Sequence, residues 1–153
     1  MRFWVVCLVL AVRFAAPAMA EEPVMPNPNY EPRQVVAIQL NALRENNLPH
    51  ADAGIARVWA FAHPVNKRVT GPLARFARMI KSEAYRILLG HRHHQIKPIS
   101  RTNEEAFFAV TVTGADDRVV GYRWVVRKVL SGEHSGAWMT TSVSPPIALG
   151  EET

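Results

Sequence analysis

The run EAFFAVTVT at Glu105–Thr113, the turn GADD at 114–117 and the run VVGYRWVVRKVL at Val119–Leu130 decide the fold. Both runs are rich in β-branched and aromatic residues, and Gly114, Asp116 and Asp117 supply turn chemistry between them, so they read as neighbouring strands. His94–Ser100 before them and Ala137–Val143 after them are two further strand candidates. Thr102-Asn103 and the polar stretch Ser131–Gly136 separate them from the central pair. The strand period begins only after Gly90.

Upstream of Gly90 the period is helical. Pro32 at a first helical position opens a helix to about Asn46, where Asn46-Asn47 and Pro49 stop it. Val35, Val36, Ile38, Leu40, Ala42 and Leu43 cover more than half of its wheel, which predicts a mostly buried helix with Gln39 in the middle of the apolar arc. Asp52 is a candidate N-cap for a second helix, whose Ile55, Val58, Trp59 and Ala62 recur at helical spacing until His63-Pro64 ends it. Thr70-Gly71-Pro72 opens a third, with Leu73, Phe76, Met79 and Ile80 on one face and Arg75, Arg78 and Lys81 on the other. Three helices followed by an antiparallel meander predict an α+β domain, the helices packed on one face of a sheet of about four strands.

The flanks differ in kind. Arg2, the apolar run Phe3–Val12 and the small-x-small site Ala18-Met19-Ala20 give Met1–Ala20 the form of a secretory signal peptide. Ten apolar residues fall short of the roughly 30 Å of a bilayer core. Residues 21–31, with Pro23, Pro26 and Pro28, read as a Pro-rich linker, residues 32–143 as a single domain, and residues 144–153, with Pro145-Pro146, as a flexible tail. Cys7 is the only cysteine of the 153 residues. A mature domain starting at Glu21 therefore has no disulfide, thiolate nucleophile or cysteine metal site, and packing alone must hold it in an oxidising space. The formal charge of +5 falls to +3 when Arg2 and Arg13 leave with the leader. That is too mild to argue for nucleic acid.

Several strings carry a family likeness: QLNAL at 39–43, DAGI at 52–55, WAFAHP at 59–64, TGPL at 70–73 with Arg75-Phe76, and GAWM at 136–139. Over Pro32–Val143 the chain resembles an uncharacterised secreted family within the superfamily of nuclear transport factor two and ketosteroid isomerase. The resemblance implies a curved antiparallel sheet wrapped around helices into a cone, with a pocket at the wide end of many members. The family carries no assigned activity. Isomerase-type members of the superfamily use a carboxylate base with a tyrosine and a protonated acid. Here Asp52 reads as a cap, Asp116 and Asp117 as a turn, and Glu104, Glu105, Glu133, Glu151 and Glu152 as strand ends or tail, so no catalytic residue is assigned.

Other constellations hold residue types of metal, hydrolase or docking chemistry. His91, His93 and His94 are dense enough to suggest zinc, copper or nickel, but Arg92 and Lys97 add positive charge where a cation would bind, so a solvated basic loop is expected and no metal. Glu133-His134-Ser135 holds the residue types of a hydrolase, yet adjacent side chains in a turn diverge. Between Lys67 and Arg92, seven basic residues (Lys67, Arg68, Arg75, Arg78, Lys81, Arg86 and Arg92) face one acid, Glu83. A solvated helix face accounts for them, and docking of an acidic protein or anionic surface through Arg75, Arg78 and Lys81 is the functional alternative. Aromatic residues supply the interior. Gln39, Trp59, Tyr122 and Trp124 are the expected pocket lining, and Gln39 either ties down a loop or presents a polar group to that pocket. The reading is thus a secreted, periplasmic (or, in a photosynthetic eukaryote, lumenal) non-enzymatic binding or accessory domain without a cofactor. Its partner is an acidic protein, an anionic surface or a small apolar ligand. A pocket enzyme of isomerase or hydrolase type is the alternative.

Overall fold

The computed structural model describes residues 23–149; the expected signal peptide, Glu21, Glu22 and the last four residues lie outside them. Helix α1 spans Pro32–Arg44, with Glu31 and Gln34 closing a capping box at its start. The Glu31 N–H donates to Gln34 Oε1 at 2.7 Å. Val35, Val36, Gln39, Leu40, Ala42 and Leu43 are buried, as the wide apolar arc requires.

Helix α2, Ala53–Ala60, crosses α1 at Gly54. A Cβ placed there would stand 2.0 Å from the Ala42 carbonyl oxygen, so only glycine lets the backbones approach this closely. Asp52 holds the N-cap position, but its side chain does not cap α2. Asn46 at the end of α1 does this instead: its Oδ1 accepts from the Ile55 N–H at 3.0 Å, and its main-chain oxygen accepts from the Gly54 N–H at 2.9 Å. The Asp52 carboxylate is drawn away to Asn46 Nδ2 and to Lys81 Nζ, at 3.1 and 2.5 Å.

Among the described residues there are four α-helices where three are expected. Pro64 both stops α2 and occupies the first turn of helix α3, Pro64–Thr70, whose N-cap His63 accepts the Val65 N–H on Nδ1. No residue of α3 is buried, so no apolar period announces it. Helix α4, Leu73–Ile80, buries Phe76 and Ile80, whereas Leu73 at its first position is 39% exposed and leaves the expected apolar face. A single 3-10 turn, Arg86–Leu88, leads into the sheet.

The sheet is a curved antiparallel meander, not closed into a barrel. Its order is β1 (His93–Arg101), β2 (Glu105–Thr113), β3 (Val119–Lys128), β4 (Trp138–Val143). The inward row of β2, Ala106, Phe108, Val110 and Val112, faces Val126, Trp124, Tyr122 and Val120 of β3, so two alternating strands form one apolar face against the helices. Two features lie in stretches expected to be irregular. Ile147–Ala148 adds a short strand β5 on β3, and Val24 and Tyr30 pack on the core, Tyr30 with its ring 6.3 Å from that of Phe61.

The outer edge of β4 is covered by the α2–α3 connection. Thr140 donates its N–H to Phe61 O at 2.9 Å and accepts the His63 N–H at 2.8 Å, which pairs strand backbone that an edge would leave open. Beyond Thr140 the register with β3 shifts: Val126 faces Thr140 and Val125 faces Ser142, leaving Thr141 as the extra residue of a bulge.

Candidate functional site

A cavity of about 250 Å³ opens between the helices and β4. Each element contributes for a local reason. Gln39 and Leu43 come from the buried arc of α1, Phe76, Met79 and Ile80 from the inward face of α4, and Trp124 from the inward row of β3. The exposed Val65 and Val69 of α3 form one rim, and the bulged stretch Thr141–Val143 of β4 forms the opposite one.

The polar floor is a closed network. Trp124 donates its indole Nε1–H to Gln39 Oε1 and to Thr140 Oγ1, both at 3.1 Å. Thr140 Oγ1 donates to Gln39 Oε1 at 2.5 Å, and Gln39 Nε2 donates to Val58 O at 3.3 Å. These partners fix the amide orientation, because an indole N–H can only donate and a main-chain carbonyl can only accept. Gln39 thereby joins α1 to α2, β3 and β4. With no exposed surface at all, it would be costly without those partners.

The remaining polar groups sit nearer the mouth. Asn66 Nδ2 donates to Thr140 O at 3.1 Å, Thr70 Oγ1 donates back to Asn66 O at 3.0 Å, and the Tyr85 hydroxyl donates to Val143 O at 3.3 Å. Burial pushes the Tyr85 hydroxyl above its ordinary range, which holds it protonated. Among the described residues that line the cavity there is no carboxylate, histidine, lysine, arginine or cysteine. The site is built to enclose, with most of its hydroxyl and amide groups committed to one another or to main-chain carbonyls.

Two of the four expected lining residues, Gln39 and Trp124, stand on the cavity wall; Trp59 and Tyr122 do not. Trp59 turns outward to Phe76 and the Lys67 ammonium, with centroid distances of 5.2 and 5.5 Å. Tyr122 is buried beneath Tyr85 and donates to Ala84 O at 2.8 Å, its hydroxyl pushed up to about 12 chiefly by burial. Asn66, Thr70, Tyr85, Thr140, Thr141 and Ser142 make up the rest of the polar lining. Thr140 is unremarkable inside a strand sequence, and Asn66 lies on the helix without an apolar period, so only the fold brings them to Gln39.

Of the basic cluster, Arg75 and Arg78 are exposed and form no ion pair among the described residues. Lys81 is tied to Asp52, Arg92 to Asp117 at 2.7 Å, and Lys67 donates to Ala60 O at 3.4 Å. The cluster is therefore less free than its sequence suggests.

The histidine segment is not a solvated loop. His91 is 1% exposed, with Nδ1 at 2.7 Å from Leu88 O and Nε2 at 2.7 Å from His94 Nδ1. Since the carbonyl only accepts, His91 carries its proton on Nδ1, and in the neutral pair its Nε2 accepts from His94. His93 points to solvent. Among the described residues no three His, Cys, Asp or Glu side chains converge on a metal-sized site. Glu133 and Ser135 are exposed at the turn.

Comparison with known protein families, with curated proteins and with solved structures gives no match to this chain.

Proposed function

We propose that this chain is an exported, non-enzymatic binding domain that takes a small, largely apolar ligand in the cavity between the helices and β4. The observation that carries the reading is the lining: aliphatic and aromatic walls around a polar floor in which Gln39, Trp124 and Thr140 bond one another. Binding needs enclosure and a few orienting groups. General acid–base chemistry needs a titratable group poised near neutrality, and nucleophilic chemistry needs a hydroxyl or thiol beside a base. The lining offers neither, with Tyr85 held protonated by its burial. An engineered apolar cavity of about 150 Å³ accepts benzene, so the volume here suits a ligand of about ten non-hydrogen atoms.

The test is titration of the purified mature chain with a neutral naphthalene-type fluorophore, read by its emission and by Trp124 quenching. Saturable one-to-one binding is expected, and it should be lost in Val69→Trp. Val69 is 67% exposed on the rim, so tryptophan there should block entry while leaving the melting temperature unchanged. Absence of saturable binding to the wild-type chain rejects the reading. Export is tested separately: intact mass of protein recovered from its own host should correspond to a chain beginning at Glu21.

A second reading has its own observation. Arg75 and Arg78 are exposed and unpaired among the described residues, close in sequence to the exposed apolar Val65, Val69 and Leu73. Charged residues without structural partners favour an anionic protein or surface docked there. Reversing both to glutamate should leave stability nearly unchanged and abolish retention on vesicles containing anionic lipid or on an acidic protein partner. Unaltered retention would return this face to plain solubility.

A further inference from the structure

Val65 of α3 lines a second cleft as well as the cavity described above. This cleft, of about 310 Å³, lies between α3, Glu104 just ahead of β2, and the end of β3 with the residues that follow it. We propose that it binds a small organic carboxylate carrying an apolar body, at a site independent of the cavity reading. Charge is the first argument. Arg68, Arg127 and Lys128 line the cleft against a single carboxylate, that of Glu104. Among the described residues none of the three is within ion-pair distance of Glu104, and Arg68 and Lys128 pair with no carboxylate at all. Arg127 reaches Glu105 through Nε at 3.3 Å, and Lys128 rests over the Trp138 ring at 5.3 Å. Arg68 comes from α3 and the other two from β3, so the fold gathers these charges and no run in the sequence announces them.

His63, which lines the same cleft, registers the excess of positive charge. Burial is the main cause that lowers its ionisation, a main-chain hydrogen bond with Lys128 opposes the shift, and the charges of Arg127 and Arg68 add to it. An anion placed among these cations gains charge-assisted hydrogen bonds and relieves their mutual repulsion. The rest of the lining sets the other half of the ligand. Val65 is 42% and Leu130 70% exposed, although both are apolar. Val129, also in the lining, is buried with Ala137 and Met139 in a small core of their own, which holds that wall in place. A bare inorganic anion would use the cations and leave the apolar surface wet. A carboxylate joined to a branched or aromatic hydrocarbon uses both.

Three probes test this by NMR titration of the isotope-labelled mature chain at neutral pH and low salt: 4-tert-butylbenzoate, its neutral amide, and acetate. Saturable shifts at His63, Arg68 and Leu130 are expected with the benzoate, at least about tenfold tighter than with the amide or acetate at those residues. The bound anion should also move the His63 pKa upward, and added salt should weaken binding by screening the cations. Arg68→Glu should abolish these shifts at an unchanged melting temperature, since Arg68 is exposed and forms no ion pair among the described residues. Equal affinity for acetate or for the amide at these residues would overturn the proposal. So would shifts confined to Met79 and Leu88, which line the cavity instead, and that outcome would support the cavity reading while removing this one. Absence of saturation at about 10 mM benzoate would overturn it too, and leaves the naphthalene test of the cavity to be judged by itself.

Discussion

Replacing Gln39 with leucine strips the shared acceptor from the Trp124 N–H and the Thr140 O–H and removes the donor to Val58 O. Trp124 keeps a partner in Thr140 Oγ1, so the loss falls mainly on the hydroxyl and the Val58 carbonyl. A destabilisation of about 1 to 3 kcal/mol is expected in urea unfolding. A change within error would mean that water replaces the amide without cost. Trp138 raises a different physical issue, that of volume. It is 3% exposed, packed in the main core and flanked by Arg101 and Lys128 at 5.5 and 5.3 Å from its ring centroid. Trp138→Ala should cost about 3 to 5 kcal/mol, because the surrounding side chains collapse only partly into the vacated space. A loss below about 1 kcal/mol would show that the cations and solvent close the gap.

At the scale of elements, the α1–α2 crossing depends on one missing methyl group. Gly54→Ala must push its Cβ against main-chain atoms of α1, where no flexible side chain can give way. Overpacking of this kind usually costs about 1 to 3 kcal/mol, and a main-chain clash belongs at or above the top of that range. The expected result in urea unfolding is a loss of about 3 kcal/mol or more, and a near-neutral variant would require the helices to shift apart at little expense. Helix α3 is held differently. It buries no residue of its own and is fixed by the His63 cap, by Asn66 on Thr140 O and by the pairing of Phe61 and His63 with Thr140. Polar contacts at its ends, rather than an apolar stripe, set the cavity rim.

For the molecule as a whole, three histidines make stability depend on acid. Burial is the leading cause in each case: it lowers His91 and His63, and it lowers His94 to about 4, with the neighbouring His91 acting second. Arg44 and His93 add positive charge around both members of the pair, and Arg33 around His94. The unfolded chain takes up these protons near the ordinary value of 6.5, before the folded chain does. The contribution is therefore complete above about pH 6.5 and is lost progressively as pH falls toward 4. Urea midpoints should be level from pH 8 to 7 and decline between 6.5 and 4. His94→Gln, which can still donate to His91 Nε2 but does not titrate, should flatten part of that decline. Equal midpoints at pH 7.5 and 4.5 would contradict this account. Asp52 and Asp116, lowered by hydrogen bonds from Lys81 and Arg118, belong to a separate window below 3.8.

The amino-acid sequence by itself determined the α+β class, the four main strands with their turns, the buried α1 and the anomaly of Gln39. These are local properties: side-chain period, turn residues and a polar group inside an apolar arc act within a few residues of one another. Pro64 shows where local reading stops, because a proline that ends one helix also suits the first turn of the next. Only tertiary structure decided that α3 forms, that Asn46 rather than Asp52 caps α2, and that His91 is buried. It also decided that Gln39 meets Trp124 and Thr140, 85 and 101 residues away. The reason is physical. A hydrogen bond or a cavity wall between distant residues depends on how the helices cross the curved sheet, and that crossing depends on the sum of many weak contacts and on single close approaches such as Gly54.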